Sequence, residues 1–442
     1  MNIFLMTSVP LVPPWDQGDK NLAYMLTSAL PQHRFRVLTA RNESVPLGAN
    51  LDLMPAYRTR NPTLAQKARV YGQLLLRPDA DPCAKKGDNT KTSPGRYATD
   101  LYHLIYRPLG LSSWLLRRLP EFQRHPVVHT VPATADGRPL SRNLFFADRV
   151  VVLSEYGRQA MLRLGVNSVV RIPPGIDVPY WAALQGQQAR MKSRLGLEDE
   201  PLILFPGHDG AGQGADVMLR ALPRIVAQAP RAHVIFACRA RTPNDQAREI
   251  TVRQAIARMG LSRSVHFYNT VADMQVLIGA CDLVALPLQT MRDKVDLPTT
   301  LLEALAAGKP IVISDLAPMN ELVREAPHQI RSPAEVGLAV PPGDADALAQ
   351  AVVELMLDGT LRSQMGQRGQ TKAYDCFDIR RIADQYDKLY QEITERASWR
   401  EMRQSRFVRF GAKATIPPCE FRTMRYTRLP CTNQDWVFSS WL

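Results

Sequence analysis

Short apolar runs, each followed by a stretch of helical periodicity, recur along most of this chain. That alternation predicts β-α-β units stacked around parallel sheets. Residues 2–7 read as a buried strand, 18–30 as a helix and 35–39 as the next strand. The pattern resumes with VVHTVPA (127–133) and ADRVVVLSEYGRQAML (147–162), where a strand turns into a helix that Ser154 is placed to cap. After VVRIPPGIDVPYW (169–181), a second run opens with PLILFPG (201–207) and continues through HVIFAC, SVHFYN, DLVALPL, KPIVISD and GLAVPPGD. At 442 residues the chain is too long for one ordinary core. The fold class is therefore α/β with two doubly wound, Rossmann-like domains, 1–180 and 181–375, the boundary falling between Asp177 and Glu200.

Three segments stand outside the alternation. Residues 58–97 are polar and basic, with turn formers and almost no apolar periodicity, and read as an exposed loop. LSSWLLRRLPEF (111–122) sets Trp114 and several leucines beside Arg117 and Arg118. The tail, 396–442, holds nine Arg or Lys against three acids, with Arg396, Arg400, Arg403 and Arg406 on one helical face beside Trp399, Met402, Phe407 and Phe410. Both apolar-basic segments carry the pattern of an interfacial helix, so an anionic membrane surface is an expected partner. Packing of Trp114 and its leucines into the core is the alternative.

The net charge of +13 favours anionic partners without choosing among them. Nucleic acid is not expected, because no aromatic-basic RNA motif or zinc finger accompanies the charge. Six scattered cysteines, with no metal-ligand spacing, read as free thiols in a reducing compartment. The N-terminus lacks the basic flank and cleavage site of a signal peptide, and no apolar run approaches the ~18 residues of a membrane span. The expected location is the cytoplasm, with peripheral attachment to the inner face of the plasma membrane.

The segment with most chemical content is KVDLPTTLLEALAAGKPIVISD (294–315). A strand runs into a loop, Asp296 and Pro298 mark a helix start, Thr299 and Thr300 open the helix, and Glu303 lies in its second turn. A helix start offers unpaired N–H groups and partial positive charge to a diphosphate, and a glutamate one turn further in can accept from ribose hydroxyls. Asp296 reads first as the helix N-cap, with contact to a sugar hydroxyl as the alternative.

With ADRVVVLSEYGR, RIPPGID, LLEALAAGKPIVISD followed by Glu321, and GLAVPPGDADALAQAV in this order, residues 1–395 resemble the retaining GT-B glycosyltransferases of family 4, also called group 1. The resemblance implies two domains facing a cleft, with a C-terminal helix (about 376–395) crossing back to the first. It implies metal-independent transfer of a sugar from a nucleotide-sugar donor, with retention, to a saccharide or lipid-linked acceptor, as in polysaccharide or glycolipid biosynthesis. The nucleotide-sugar is a substrate, and no cofactor is expected. By position, Glu303 would bind the donor ribose, Gly18 would lie beside the phosphates, and His129 would face donor sugar and acceptor. The loop at 266–271, with Phe267 or Tyr268, would border the base.

Two departures from the family pattern matter. The position where the family carries its first glutamate holds Val295, with Asp293 and Asp296 the nearest acids in a lengthened loop. After Gly207, His208 and Gln213 stand where the family commonly has an arginine and a lysine that neutralise the leaving diphosphate. Arg292 and Lys294, in the lengthened loop, are expected to restore that charge. The alternative functions are a GT-B nucleotide-sugar epimerase and a catalytically weakened nucleotide-sugar-binding protein.

Overall fold

The computed structural model describes residues 1–13, 17–40, 48–57, 59, 62–63, 65–67, 69–70, 99–207, 214–238, 243–268, 274–324 and 335–410. Side chains are described as far as Arg396, those of Pro120 and Pro243 excepted. Residues 1–397 form one compact unit. It contains two sheets, and every strand pair in both is parallel.

The first sheet comprises β1 (Asn2–Thr7), β2 (Arg34–Ala40), β3 (Leu51–Tyr57), β4 (Leu101–Ile105), β5 (Val127–Val131), β6 (Arg149–Val152) and β7 (Val169–Arg171), ordered 3-2-1-4-5-6-7. The second comprises β8 (Leu202–Phe205), β9 (His233–Phe236), β10 (Val265–Phe267), β11 (Leu283–Leu286), β12 (Ile311–Ser314) and β13 (Gly337–Val340), ordered 10-9-8-11-12-13. Central strands buried on both faces, such as VVHTV and IVIS, show no polar alternation because helices cover them on either side. β3 and β4 do not stand out in the sequence. β3 contains Pro55, tolerated because this is an edge strand, and β4 lies just after the polar, basic stretch 58–97.

The chain passes between the domains twice, and the two passages run side by side. Ile176 N–H donates to Phe377 O and Ile379 N–H to Ile176 O, each at 2.9 Å. A Cβ on Gly175 would come within 2.9 Å of the Ile379 backbone, so only glycine allows this approach. Ile176 and Val178 already belong to the second domain's core.

The final helix, Ile379–Phe410, is longer than its apolar period suggests. Ile382, Tyr386, Leu389, Tyr390 and Ile393 pack at helical spacing into the first domain's core, returning the chain to its N-terminal half. A buried polar chain fixes it there. Tyr390 Oη and His103 Nδ1 share a hydrogen bond at 2.8 Å, His103 Nε2 and Thr130 Oγ1 another at 2.8 Å, and Thr130 Oγ1 meets Tyr386 Oη at 3.0 Å.

Burial holds His103 neutral, its pKa lowered to about 3. The unfolded chain binds this proton near pH 6.5 and the folded chain does not, so stability falls as pH drops from about 6.5 towards 3. The slope is about 1.4 kcal/mol per pH unit for this residue alone. Tyr390→Phe is expected to lower stability by about 1–3 kcal/mol, because His103 Nδ1 loses its buried partner. Urea unfolding at neutral pH measures it.

Candidate functional site

The second sheet reverses its strand order between β8 and β11, the position at which open α/β sheets bind ligands beyond the strands' carboxyl ends. Two glycines bring the backbone close there. A Cβ on Gly207 would overlap the Phe205 ring at 2.0 Å. Gly214, which opens the helix Ala215–Gln228, has φ +96°, and a Cβ on it would lie 2.8 Å from Pro287 O at the end of β11. His208 and Gln213 lie outside the described residues.

After β11 the chain turns through 289–298 into the helix Thr299–Ala306. Its N-cap residue is Pro298, and no described side chain caps its first turn. The helix start therefore presents backbone N–H groups at the switch point, which suits an anion. Glu303 sits one turn in, and no described side chain is hydrogen-bonded to it. Part of its surface remains exposed, yet the protein packed around it pushes its carboxyl up to about 7. A carboxylate that is costly to ionise and unpaired is the kind of group that a bound ligand's hydroxyls satisfy.

Asp296 corrects the sequence reading. It does not cap the helix that follows; its carboxylate is buried and turned into the first domain. Oδ1 accepts from Thr134 N–H at 2.7 Å, and Oδ2 accepts from Thr134 Oγ1 and from Ser154 Oγ, each at 2.7 Å. The backbone joins in, Asp296 N–H donating to Pro132 O at 2.9 Å. Burial raises the Asp296 pKa, and the three hydrogen bonds oppose the shift.

Ser154 caps the helix Glu155–Arg163 as its sequence position predicts, accepting from Gly157 N–H at 2.9 Å. The two preceding N–H groups, of Glu155 and Tyr156, donate across the cleft to Glu321 at 3.0 and 2.7 Å. The start of this first-domain helix is thus completed by a second-domain carboxylate, a role the sequence does not announce. Gly157 packs tightly here: a Cβ on it would lie 3.0–3.1 Å from Ser154 Oγ, Thr134 Oγ1 and Asp296 Oδ2, so these groups would have to shift by a few tenths of an ångström. Gly18 also lies at the domain junction, where an added Cβ would be 2.5 Å from Val295 Cγ1.

His129 is a second correction. It is expected to face the cleft, but it lies within β5 with no exposed surface, against Tyr106 and Phe145. Its Nε2 donates to Tyr106 O at 3.0 Å, and burial lowers its pKa to about 4. Phe267 carries Phe236 stacked at 5.1 Å and the Arg253 guanidinium 4.0 Å from its ring, so it is already engaged within the domain.

The lengthened loop brings charge to the junction. Arg292 and Asp293 are exposed and Lys294 half-buried, and Asp293 has φ +59°. Arg138 of the first domain reaches Asp293 at 3.6 Å and Asp136 Oδ2 at 2.6 Å, and Arg107 Nε meets the same Oδ2 at 2.6 Å. Neither Arg107 nor Arg138 is marked by a motif in the sequence.

Comparison with solved structures decides the architecture. Over 89% of its length the chain superposes on all of Anabaena HepE in complex with UDP, with a TM-score of 0.66 and 18% identity. It superposes as widely on 99% of sucrose-phosphate synthase from Thermosynechococcus elongatus, with a TM-score of 0.68 and 20% identity. The fold is GT-B. Residues 200–358 of this GT-B chain match the family described as Glycosyl transferases group 1.

Among curated relatives, the GT-B chain is 26% identical over 236 residues to the GDP-mannose-dependent alpha-(1-6)-phosphatidylinositol monomannoside mannosyltransferase of Mycolicibacterium smegmatis, covering 52% of this chain and 58% of that enzyme. It is 27% identical over 205 residues to the GDP-mannose-dependent monoacylated alpha-(1-6)-phosphatidylinositol monomannoside mannosyltransferase of Corynebacterium glutamicum, covering 45% of this chain and 50% of that enzyme. The chain thus spans about half the length of these relatives. Among described residues, no group of three or more His, Cys, Asp or Glu is placed to hold a metal, and no helix is long and apolar enough to cross a membrane.

Proposed function

We propose that this chain is a retaining glycosyltransferase that moves a hexose from a nucleotide-sugar donor to a saccharide or lipid-linked acceptor without a metal ion. The observation that carries the reading is a helix start that no described side chain caps, together with the Glu303 carboxylate, to which no described side chain is hydrogen-bonded, at the second domain's switch point. The diphosphate lies against the N–H groups of Thr299 and Thr300, and Glu303 accepts from the ribose hydroxyls. Gly18, Gly207 and Gly214, packed against Val295, Phe205 and Pro287 where no side chain fits, bring backbone beside the phosphates.

In the reaction the bond between the sugar's anomeric carbon and the β-phosphate oxygen breaks as the acceptor oxygen bonds to that carbon on the same face. The departing phosphate oxygen takes the acceptor hydroxyl's proton. The helix start holds the developing charge, and domain closure excludes water. Arg292 and Lys294 supply the cations that the family pattern otherwise places at positions 208 and 213. Curated relatives named for GDP-mannose and a structural neighbour holding UDP support a screen spanning both bases.

That screen, reading nucleoside diphosphate released with and without acceptor, tests the function. Arg292→Ala and Lys294→Ala are each expected to lower turnover on the order of 100- to 1000-fold, the scale of losing one charge-stabilising donor. Wild-type rates in both variants would remove these residues from the mechanism.

A further inference from the structure

Ten large apolar side chains are exposed among the described residues, and four of them fall between positions 109 and 115. Leu109 is 49% exposed, Leu111 63%, Trp114 52% and Leu115 43%. They belong to the helix Gly110–Leu116 and the residue before it, whose inward face is Ser113 and Leu116. Helical spacing sets Leu111, Trp114, Leu115 and Arg118 on the opposite face. The sequence alternative, burial of Trp114 in the core, is not what the chain does.

The sequence around this helix is basic: positions 107–124 hold Arg107, Arg117, Arg118 and Arg124 against the single acid Glu121. Arg118 and Arg124 are exposed, whereas Arg107 is turned to Asp136. The Arg118 guanidinium lies 4.0 Å from the centre of the Trp114 ring, which keeps cation and aromatic ring together at the surface. Arg117 bonds Asn143 O, and Arg107 donates to Arg138 O at 2.7 Å.

We infer that the face formed by Leu109, Leu111, Trp114, Leu115 and Arg118 docks on an anionic lipid surface, from which the chain takes a membrane-embedded acceptor. Apolar side chains enter the headgroup boundary while arginines meet lipid phosphates. A second copy fits less well, since two-fold pairing would set arginine against arginine with little acid to compensate. Position supports the acceptor's class. Leu109 follows Arg107 by two residues, and the contacts Arg107–Asp136–Arg138–Asp293 run from this face to the domain junction. Only the acceptor's identity rests on the glycosyltransferase reading; the docking surface does not.

The test is co-sedimentation of the full chain with vesicles of roughly three parts phosphatidylcholine to one part phosphatidylglycerol, against pure phosphatidylcholine. Wild type is expected to pellet with the mixed vesicles. The exposed double variant Leu111→Ser/Trp114→Ser is expected to lose binding about 10-fold or more while keeping its melting temperature. A second variant, Leu115→Gln/Arg118→Glu, is expected to do the same, so a folding defect in one does not decide the matter. Equal pelleting of wild type and both folded variants, or no pelleting of wild type, overturns the inference. So does a wild-type dimer that the variants convert to monomer without any vesicle binding. If vesicle binding is lost as expected but no nucleotide-sugar is turned over, the surface stands and the proposed reaction fails.

Discussion

Glu303→Gln is expected to make the ligand-free protein more stable at pH 8 while weakening its binding of nucleotide-sugar. The carboxyl titrates near 7 in the folded chain against 4.5 for an unburied glutamate. Between those values the folded chain holds a proton that the unfolded chain has released, so stability falls as pH rises from 4.5 through 7. By pH 8 the cost has reached about 3 kcal/mol at most, and the glutamine variant does not bear it. The gain should disappear as pH falls to 4.5. Donor binding should move the other way: wild type binds more tightly as pH rises past 7 and the carboxylate forms, and Glu303→Gln shows no such dependence. Denaturant unfolding at pH 5 and pH 8, with donor titrations over the same range, measures both. A residue that strains the empty protein and is relieved by its ligand is what a binding group looks like; a packing residue would lose stability on substitution.

Asp296→Ala is expected to destabilise the protein by about 3–5 kcal/mol, the scale of breaking a buried, fully bonded carboxylate. Thr134 N–H, Thr134 Oγ1 and Ser154 Oγ all lose their acceptor in one step. Because Asp296 belongs to one domain and its partners to the other, the loss should also loosen the junction. Hydrogen exchange should therefore rise at Thr134 and at the start of the helix Glu155–Arg163, and Asp296→Asn should recover only part of the stability. An Asp296→Ala protein as stable as wild type would mean that these bonds do not hold the domains together.

These two residues also show what the sequence can and cannot reveal. Glu303 is legible because its chemistry is local: a strand, a loop, a helix start and a carboxylate one turn later are all encoded within about twenty residues. Asp296 has the same local credentials, being a short acid just before a helix, and that is why it reads as a cap. Pro298 takes the N-cap position instead, and the carboxylate finds partners 142 and 162 residues away in sequence. Glu321 is likewise spent on a helix start 165 and 166 residues distant. No periodicity or propensity encodes a bond across a domain junction.

His129 misleads for a related reason. The likeness of its strand to the family places it at the strand's end, whereas the register of β5 between β4 and β6 sets it within the ladder, opposite Leu104 and Val150. The doubly wound sheets were the more legible part, because their buried central strands are written as continuous apolar runs. β3 is interrupted by Pro55, and β4 follows directly on the polar, basic stretch 58–97, where no apolar run leads into it.

The central claim is that the helix start before Glu303 holds a nucleotide-sugar. Its most direct test is nucleoside diphosphate release from a panel of GDP- and UDP-sugars by wild type and by Glu303→Gln. Wild type is expected to release diphosphate from at least one donor, with acceptor stimulating the rate, and the variant to fall by about 100-fold or more. No release from any donor by wild type, or equal release by the variant, would contradict the account.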